Sequence, residues 1–430
     1  MLRQPLMTTR DPSRVGPAPD LLGLGELPAH GVVPRRMHAS TIRRERFGEP
    51  GRAFAPDVVN VPAPKGRQVL VYVMAAGVNY NNVWAALGKP VDVIAARQKR
   101  GEPEDFHIGG SDASGVVWAV GDQARGVKVG DRVVISCCRW DPDAPDLKHG
   151  GDPMFSSTVR VWGYEDNWGS FAQYTLVDDE QCHPKPPKLT WEESAAYMLV
   201  GATAYRQLMG WPPHVVHPGD PVLIWGGAGG LGSMAIQVVR EFGGRAVSVV
   251  SDPSKVDFCK RLGAVGVIDR SRFTHWGRLP DFGDAGAFGQ WAQGAREFGK
   301  AFWEALGEKR NPRIVFEHVG ESTIPTSVFC CDNGGMVVIC GGTSGYAADV
   351  DLRYLWMRQK RLQGSHFANT EQCRALNTLV AEGRVDPCLS RVFPFSQVGD
   401  AHQLMRENKH PPGNMVVLVN AKRQGMRDLE

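Results

Sequence analysis

The chain has 430 residues, of which 42% are hydrophobic, so it has ample material for packed cores and is not a disordered protein. Lysine and arginine number 49 against 46 acidic residues, and the net charge of +3 gives no footprint for nucleic-acid binding. Fifty glycines and 30 prolines without a period exclude collagen and indicate a turn-rich enzyme.

The cysteines and the apolar segments indicate where such a chain works. The nine cysteines form no C-x-x-C pair, which argues against a disulfide framework and a zinc lobe. The first residues contain no apolar signal core, and no run of 18 apolar residues occurs. We therefore expect a cytoplasmic protein with no membrane partner.

The first half of the chain predicts a small β-barrel. Residues 1–38 are weakly patterned and are expected to form an extended arm. Apolar, β-branched runs predict strands at 68–78, 115–120 and 131–136, and such closely spaced strands favour a barrel. Residues 139–160 are rich in Asp, Pro, Gly and Ser and predict a long loop, a feature that is often functional.

The second half alternates strands with helices. One helix is predicted at 191–208, with Thr190 as its N-cap and Glu193 completing a capping box. After it, strands are predicted at 222–225, 245–250, 265–269, 313–317 and 335–340, and helices at 233–242 and 254–262. This alternation is typical of a doubly wound parallel sheet.

Four segments follow from these patterns. We expect an arm at 1–38, a substrate domain at 39–205, a dinucleotide-binding domain at 206–361, and a return to the substrate domain at 362–430. The final strand is predicted at 413–419.

A glycine-rich turn lies between the first predicted strand of the parallel sheet and the next helix. The pattern G-x-G-x-x-G is formed by Gly227, Gly229 and Gly232, so a pyrophosphate can approach the helix N-terminus. The predicted contacts include the residues between these glycines, which are Ala228, Gly230 and Leu231. A glycine-rich turn without a ligand is the alternative, but the flanking strand and helix favour a dinucleotide site.

The residues after the second strand of the parallel sheet decide between NAD and NADP. Ser251 and Lys255 favour a 2′-phosphate, as does Arg270 after the third strand, whereas Asp252 would suit a ribose hydroxyl. Lys255 and Arg270 could also be ordinary solvated charges at helix ends. On balance we predict NADPH as the cofactor.

Two segments of the predicted barrel lack the residue types that bind catalytic zinc in related enzymes. With its barrel and inserted Rossmann unit, the sequence resembles the medium-chain dehydrogenase/reductases, whose substrate domain is GroES-like. The zinc-dependent branch carries catalytic Cys and His where residues 77–82 read Gly-Val-Asn-Tyr-Asn-Asn and residues 110–115 read Gly-Ser-Asp-Ala-Ser-Gly. We therefore expect no metal, and a reaction at activated double bonds rather than at alcohols.

Four further segments resemble the crotonyl-CoA carboxylase/reductase family; they are residues 78–84, 151–156, 162–172 and 353–369. The resemblance runs from about residue 40 to residue 420. It implies that NADPH reduces a trans-2-enoyl-CoA at Cβ and that the resulting enolate attacks CO2 at Cα, giving an alkylmalonyl-CoA. It also implies a homotetramer.

The same resemblance implies four catalytic residues. Asn81, Tyr164, Glu165 and His366 match the positions that hold CO2 in this family. Amide and imidazole N–H groups suit CO2 because they can stabilise the developing carboxylate, and Glu165 is expected to orient His366 or a water. His366 could instead be a structural histidine, Glu165 part of an exposed turn, and Asn81 a turn-supporting residue.

Other residues are carried over for the thioester and the nicotinamide. Arg296, Arg353 and Tyr354 match positions that hold the adenine and phosphates of CoA, although ordinary surface residues would look the same. Thr203 resembles a position beside the nicotinamide. Two alternatives stay open: a zinc-free enoyl-CoA or quinone reductase that does not carboxylate, and a non-catalytic NADPH-binding protein.

Overall fold

The structure is a computed structural model that describes residues 18–29 and 31–429. Residues 1–17 of the predicted arm lie outside the described residues. The described part of the arm lies on the barrel: Tyr72 donates a hydrogen bond from its hydroxyl to the Glu26 carbonyl (3.2 Å), and the Trp118 indole donates to the Val32 carbonyl (2.8 Å). No helix within the described ranges is long and apolar enough to cross a bilayer.

The strand-rich half contributes strands to three sheets, which have three, seven and two strands. Its strands are β1 (Arg36–Arg43), β2 (Ala55–Asn60), β3 (Gln68–Val78), β4 (Phe106–Ile108), β5 (Ala113–Val120), β6 (Arg132–Ile135), β7 (Cys138–Arg139), β8 (Arg160–Val161), β9 (Tyr174–Asp178) and β10 (Cys182–Pro184). Its helices are α1 (Pro50–Ala53), α2 (Tyr80–Leu87), α3 (Val93–Lys99), α4 (Trp191–Ser194) and α5 (Met198–Met209).

The remaining elements form the second half and the return of the chain. The strands are β11 (Pro221–Ile224), β12 (Arg245–Val250), β13 (Gly266–Asp269), β14 (Ile314–Glu317), β15 (Met336–Ile339), β16 (Arg361–Gly364), β17 (Leu389–Pro394) and β18 (Asn414–Leu418). The helices are α6 (Gly230–Glu241), α7 (Val256–Leu262), α8 (Ala285–Leu306), α9 (Ile324–Cys330), α10 (Leu352–Trp356), α11 (Thr370–Ala381) and α12 (Val398–Arg406).

Sheet topology confirms the predicted fold class. Strands β13-β12-β11-β14-β15-β16 form one parallel sheet, which is the strand order of a dinucleotide-binding Rossmann fold. The barrel sheet has the order β10-β6-β5-β3-β18-β17, and β9 also pairs with β3. Because β18 pairs antiparallel with β3, with Met415 opposite Val78, the C-terminal segment closes the barrel. The parallel sheet extends to Gly364 through β16.

One predicted helix is divided in the structure, and the predicted long loop is present. The helix predicted at 191–208 is interrupted at residues 195–197, so that α4 and α5 are separate, although the Thr190–Glu193 capping box forms as predicted. The break has a tertiary cause, because the buried Asp112 carboxylate accepts the Leu199 N–H (3.1 Å) at the start of α5. The loop predicted at 139–160 connects β7 to β8, which pair with each other, and it includes two short 3-10 helices.

Candidate active site

A cleft of about 450 Å³ is lined by residues from both halves, at the carboxyl ends of the parallel strands. Its lining includes Asn79 after β3, Ser251 after β12, His318 after β14 and Cys340 after β15. The segment after α12 adds His410. A volume of this size suits a cofactor or substrate, and the strand ends around the reversal of strand order are where open α/β sheets bind ligands.

The glycine turn after β11 is built so that backbone can approach a ligand closely. Gly226 has a φ of +59°, and a Cβ there would lie 2.7 Å from His318 Nε2. A Cβ at Gly227 would overlap the Ser248 hydroxyl of β12, and one at Gly232 would overlap the Gly226 carbonyl. Gly229 is the N-cap of α6 and has no side chain to cap its first amides. The turn therefore fits a dinucleotide pyrophosphate.

The cleft lining contains five of the six predicted turn residues, namely Ala228, Gly229, Gly230, Leu231 and Gly232, whereas Gly227 packs beneath them. The sequence pattern missed Gly226, the residue with the left-handed backbone. It also missed a contact from the far end of the chain, because the Gly413 N–H donates to the Ala228 carbonyl (2.9 Å). The run of glycines that begins at position 226 was the sequence signal from which Gly226 could have been predicted.

The residues predicted to hold a 2′-phosphate lie together. Ser251, Lys255 and Arg270 all line the cleft at the ends of β12 and β13. Asp252 is exposed and accepts the Ser254 N–H (2.8 Å), so its carboxylate caps a short 3-10 helix. The Arg270 guanidinium lies over the Trp276 ring at 5.5 Å. Two adjacent cations and a hydroxyl fit the 2′-phosphate of NADP better than a bare ribose.

Asn81 and His366 line the same cleft, and Thr203 of α5 does so as well. The Asn81 side chain is buried and fixed: its amide donates to Ser111 Oγ (2.8 Å), and its oxygen accepts from Asn82 Nδ2 (3.0 Å). One N–H of that amide is left for a ligand, since a primary amide has two. Thr203 donates its hydroxyl to the Leu199 carbonyl (2.7 Å).

His366 is exposed to the cleft and packs edge-on against the Phe367 ring, with centroids 4.6 Å apart. Desolvation by the surrounding protein lowers the pKa of His366 below its ordinary value, and the positive charge of Arg206 lowers it further. The imidazole is therefore neutral near pH 7 and carries one N–H donor.

Tyr164 and Glu165 lie outside the lining of this cleft. The Glu165 carboxylate accepts the Val161 N–H (2.9 Å), which replaces the predicted contact with His366. Burial raises the pKa of Glu165. Burial, with smaller contributions from Tyr346 and Glu165, also raises the pKa of Tyr164 to about 12. In this structure Glu165 therefore stabilises the turn after β8, and Tyr164 packs against the barrel core.

The three residues predicted to bind CoA are found on the surface of the parallel-sheet half, away from the cleft lining. Arg296 is exposed on α8. Arg353 pairs with Asp351 (2.8 Å) and lies over the Phe282 ring at 4.8 Å. Tyr354 packs against the core beneath α10. Phe282 was not predicted as a site residue, because the position of this exposed aromatic ring beside Arg353 depends on the tertiary fold.

Comparisons with known proteins identify the family. Residues 65–187 match the model described as alcohol dehydrogenase GroES-like domain, and residues 230–382 match that described as zinc-binding dehydrogenase. A crotonyl-CoA carboxylase/reductase of Cereibacter sphaeroides is 52% identical over 411 residues, covering 96% of this chain and 94% of that protein. The chain belongs to the crotonyl-CoA carboxylase/reductase family.

Solved structures of the family agree with this assignment. Crotonyl-CoA carboxylase/reductase AntE in complex with NADP is 62% identical with a TM-score of 0.92, and the match covers 94% of this chain and all of that one. The 2-octenoyl-CoA carboxylase reductase CinF, in complex with NADP and 2-octenoyl-CoA, is 36% identical with a TM-score of 0.84, and the match covers 92% of this chain and 90% of that one. The resemblance drawn from the sequence is confirmed.

In this chain, the two segments that carry the catalytic Cys and His in the zinc-dependent branch contain other residue types. Asn79 and Asp112 occupy the two segments, and burial raises the pKa of Asp112 well above its ordinary value. In residues 18–29 and 31–429 no group of three or more His, Cys, Asp or Glu side chains could hold a metal ion.

Proposed function

We propose that this protein is an NADPH-dependent enoyl-CoA carboxylase/reductase. It would convert crotonyl-CoA, or a longer-chain trans-2-enoyl-CoA, and CO2 into an alkylmalonyl-CoA such as ethylmalonyl-CoA. The observation that carries the proposal is the presence of Asn81 and His366 in the same cleft as the glycine turn and the Ser251–Lys255–Arg270 group. The relatives at 52% and 62% identity support it.

The residues of the cleft have distinct tasks in this reaction. NADPH, when bound, supplies the hydride that turns the enoyl thioester into an enolate. Asn81 and the neutral His366 each offer an N–H to an oxygen of CO2, and these fixed donors stabilise the carboxylate as the enolate Cα bonds to the CO2 carbon. The apolar side chains of Trp84 and Phe367 in the lining limit water, which would otherwise protonate the enolate.

Tyr164 and Glu165 complete the proposed CO2 pocket as part of its supporting wall. The family position of these residues supports the assignment, and the hydrogen bond from Val161 to Glu165 holds their turn. A buried carboxylate that is already hydrogen-bonded does not need to face CO2, whose carboxylate product it would repel.

Arg296, Arg353 and Tyr354 are proposed to bind the CoA moiety. The support is chemical: a guanidinium grips phosphate in a bidentate manner, and Arg353 already lies beside the exposed Phe282 ring, which offers a face to adenine.

A homotetramer in the cytoplasm is the proposed state of the protein. Strand β16 is the edge of the parallel sheet, and exposed apolar side chains lie on or near it, namely Leu352, Trp356, Met357 and Leu362. Exposed apolar surface beside an unpaired strand edge favours pairing with another copy. The unpaired thiols of the nine cysteines are compatible with a reducing compartment.

Product analysis tests the proposal. Purified enzyme is incubated with crotonyl-CoA and NADPH, with and without bicarbonate, and the products are separated by liquid chromatography. The proposal predicts ethylmalonyl-CoA when bicarbonate is present. Butyryl-CoA alone at saturating bicarbonate would instead identify an enoyl-CoA reductase, and no substrate-dependent NADPH oxidation would indicate a binding protein.

A further inference from the structure

A buried arginine ties three separate segments together beside His366. Arg206 of α5 is 1% exposed. It forms an ion pair with Asp152, with 2.6 Å between Nη1 and Oδ2, and the same Nη1 donates to Gln372 Oε1 (3.1 Å). Its guanidinium lies over the Trp211 ring at 4.9 Å. One cation therefore joins the loop between β7 and β8, the first turn of α11 and the chain after α5.

This network holds both ends of the segment that carries His366. On one side, the Trp211 indole donates to Ser365 Oγ (3.3 Å). On the other, Asn369 Nδ2 donates to Asp152 Oδ1 (3.2 Å). Ser365, just before His366, is thus held by Trp211, and Asn369, three residues after His366, is held by Asp152. Both of these partners contact Arg206.

The backbone between these two anchors is strained. Phe367 has a φ of +42°, a left-handed conformation that is unfavourable for a bulky residue and persists only where its surroundings enforce it. His366 itself faces the open cleft, so the wall behind it supplies this constraint. A strained segment of this kind relaxes when an anchor is lost.

We propose that Arg206, Asp152 and Asn369 form a positioning network for His366 that sets the partition of the enolate between carboxylation and protonation. This inference rests on the proposed function. None of the three residues lines the cleft; each acts through the placement of the imidazole.

The physical reason is that donor geometry controls carboxylation more than reduction. A displacement of about 1 Å in a reacting or stabilising group can cost about 10²-fold in rate. The enolate Cα that fails to meet a correctly held CO2 takes a proton from water, which gives the saturated acyl-CoA from the same hydride transfer. Loss of the network therefore changes which product forms, while the contacts of Thr203 and the glycine turn stay in place.

Two variants remove different parts of the network. Asp152→Asn keeps the size of the side chain and an oxygen for the Met154 N–H, but it removes the carboxylate that faces Arg206. Asn369→Ser keeps an oxygen that can cap α11 but removes the donor to Asp152. Asp220→Asn is the matched control, because it removes a carboxylate from a comparable pair with Arg313 (2.6 Å) in the parallel-sheet half.

The assay measures the ratio of ethylmalonyl-CoA to butyryl-CoA, together with kcat for NADPH oxidation and the melting temperature. In both network variants we expect the ratio to fall by about 10- to 100-fold, with a much smaller change in kcat. The control keeps the wild-type ratio. In a His366→Asn background, Asp152→Asn is expected to lower the ratio no further, since the group that it positions is already gone.

Two results would overturn the inference while leaving the proposed function intact: a wild-type product ratio in both network variants, or an effect of Asp152→Asn that persists undiminished in the His366→Asn background. A wild-type enzyme that forms butyryl-CoA alone would instead overturn the proposed function and the inference with it.

Discussion

Replacing His366 with Asn tests the CO2 site most sharply. The side chain is exposed to the cleft and contacts the Phe367 ring, so the substitution costs the fold little packing. It removes one preorganised N–H donor, which is worth about 2.7–4 kcal/mol, or about 10²–10³ in the step that it stabilises. We expect that step to be carboxylation, because the residue proposed beside the nicotinamide is Thr203 and the glycine turn is proposed to hold the pyrophosphate.

The expected result is a change of product rather than a loss of turnover. Ethylmalonyl-CoA gives way to butyryl-CoA, and NADPH oxidation falls far less. His410→Asn serves as the control, because His410 lines the same cleft. Burial lowers the pKa of His410, and the charge of Lys255, one of the proposed cofactor residues, lowers it further. That variant is expected to raise the KM for NADPH at an unchanged product ratio.

Two outcomes would refute this reasoning. Equal loss of NADPH oxidation and carboxylation in His366→Asn would make the residue structural or part of the hydride site. An unchanged product ratio at full activity would place CO2 elsewhere.

Further predictions concern the cofactor, the turn and acid stability. Lys255→Ala and Arg270→Ala should each raise the KM for NADPH by about 10- to 100-fold and leave that for NADH unchanged, since a charge-assisted hydrogen bond contributes about 1.5–3 kcal/mol. Equal effects on both cofactors would contradict the 2′-phosphate assignment. Gly227→Ala should abolish NADPH binding in a fluorescence titration, because its Cβ would overlap Ser248; wild-type affinity would exclude this packing. Burial lowers the pKa of His402 to about 4, so its protonation favours the unfolded chain below the ordinary pKa of about 6.5. Urea unfolding should therefore show stability falling by about 1.4 kcal/mol per pH unit from this group between pH 6.5 and 4, and a flat profile would contradict it.

Local pattern was sufficient for much of the fold. Strands β3 and β12 have the bounds predicted from their apolar, β-branched runs, because a strand buried on both faces is a continuous run of apolar residues in the sequence. The break between α4 and α5 could not be predicted, since it depends on Asp112, which lies far away in the chain. A helical pattern contains no information about a distant carboxylate that accepts an amide in the first turn of a new helix.

The candidate site divides in the same way. The glycine turn and its flanking elements follow from local spacing, but the contact of Gly413 with Ala228 joins positions 185 residues apart. Glu165 was predicted to orient His366 or a water, and the structure pairs its carboxylate with the N–H of Val161, four residues away. A family resemblance predicts which residues are candidates for the site, whereas the hydrogen-bond partner of each side chain depends on tertiary packing.

Isotope labelling shows whether this protein incorporates CO2 into its product. Enzyme, crotonyl-CoA and NADPH are incubated with 13C-bicarbonate, and the acyl-CoA products are analysed by mass spectrometry. The proposed reaction predicts ethylmalonyl-CoA that carries the label in its new carboxylate, formed in proportion to the NADPH consumed. NADPH consumption that yields unlabelled butyryl-CoA alone, at any bicarbonate concentration, would contradict reductive carboxylation by this protein.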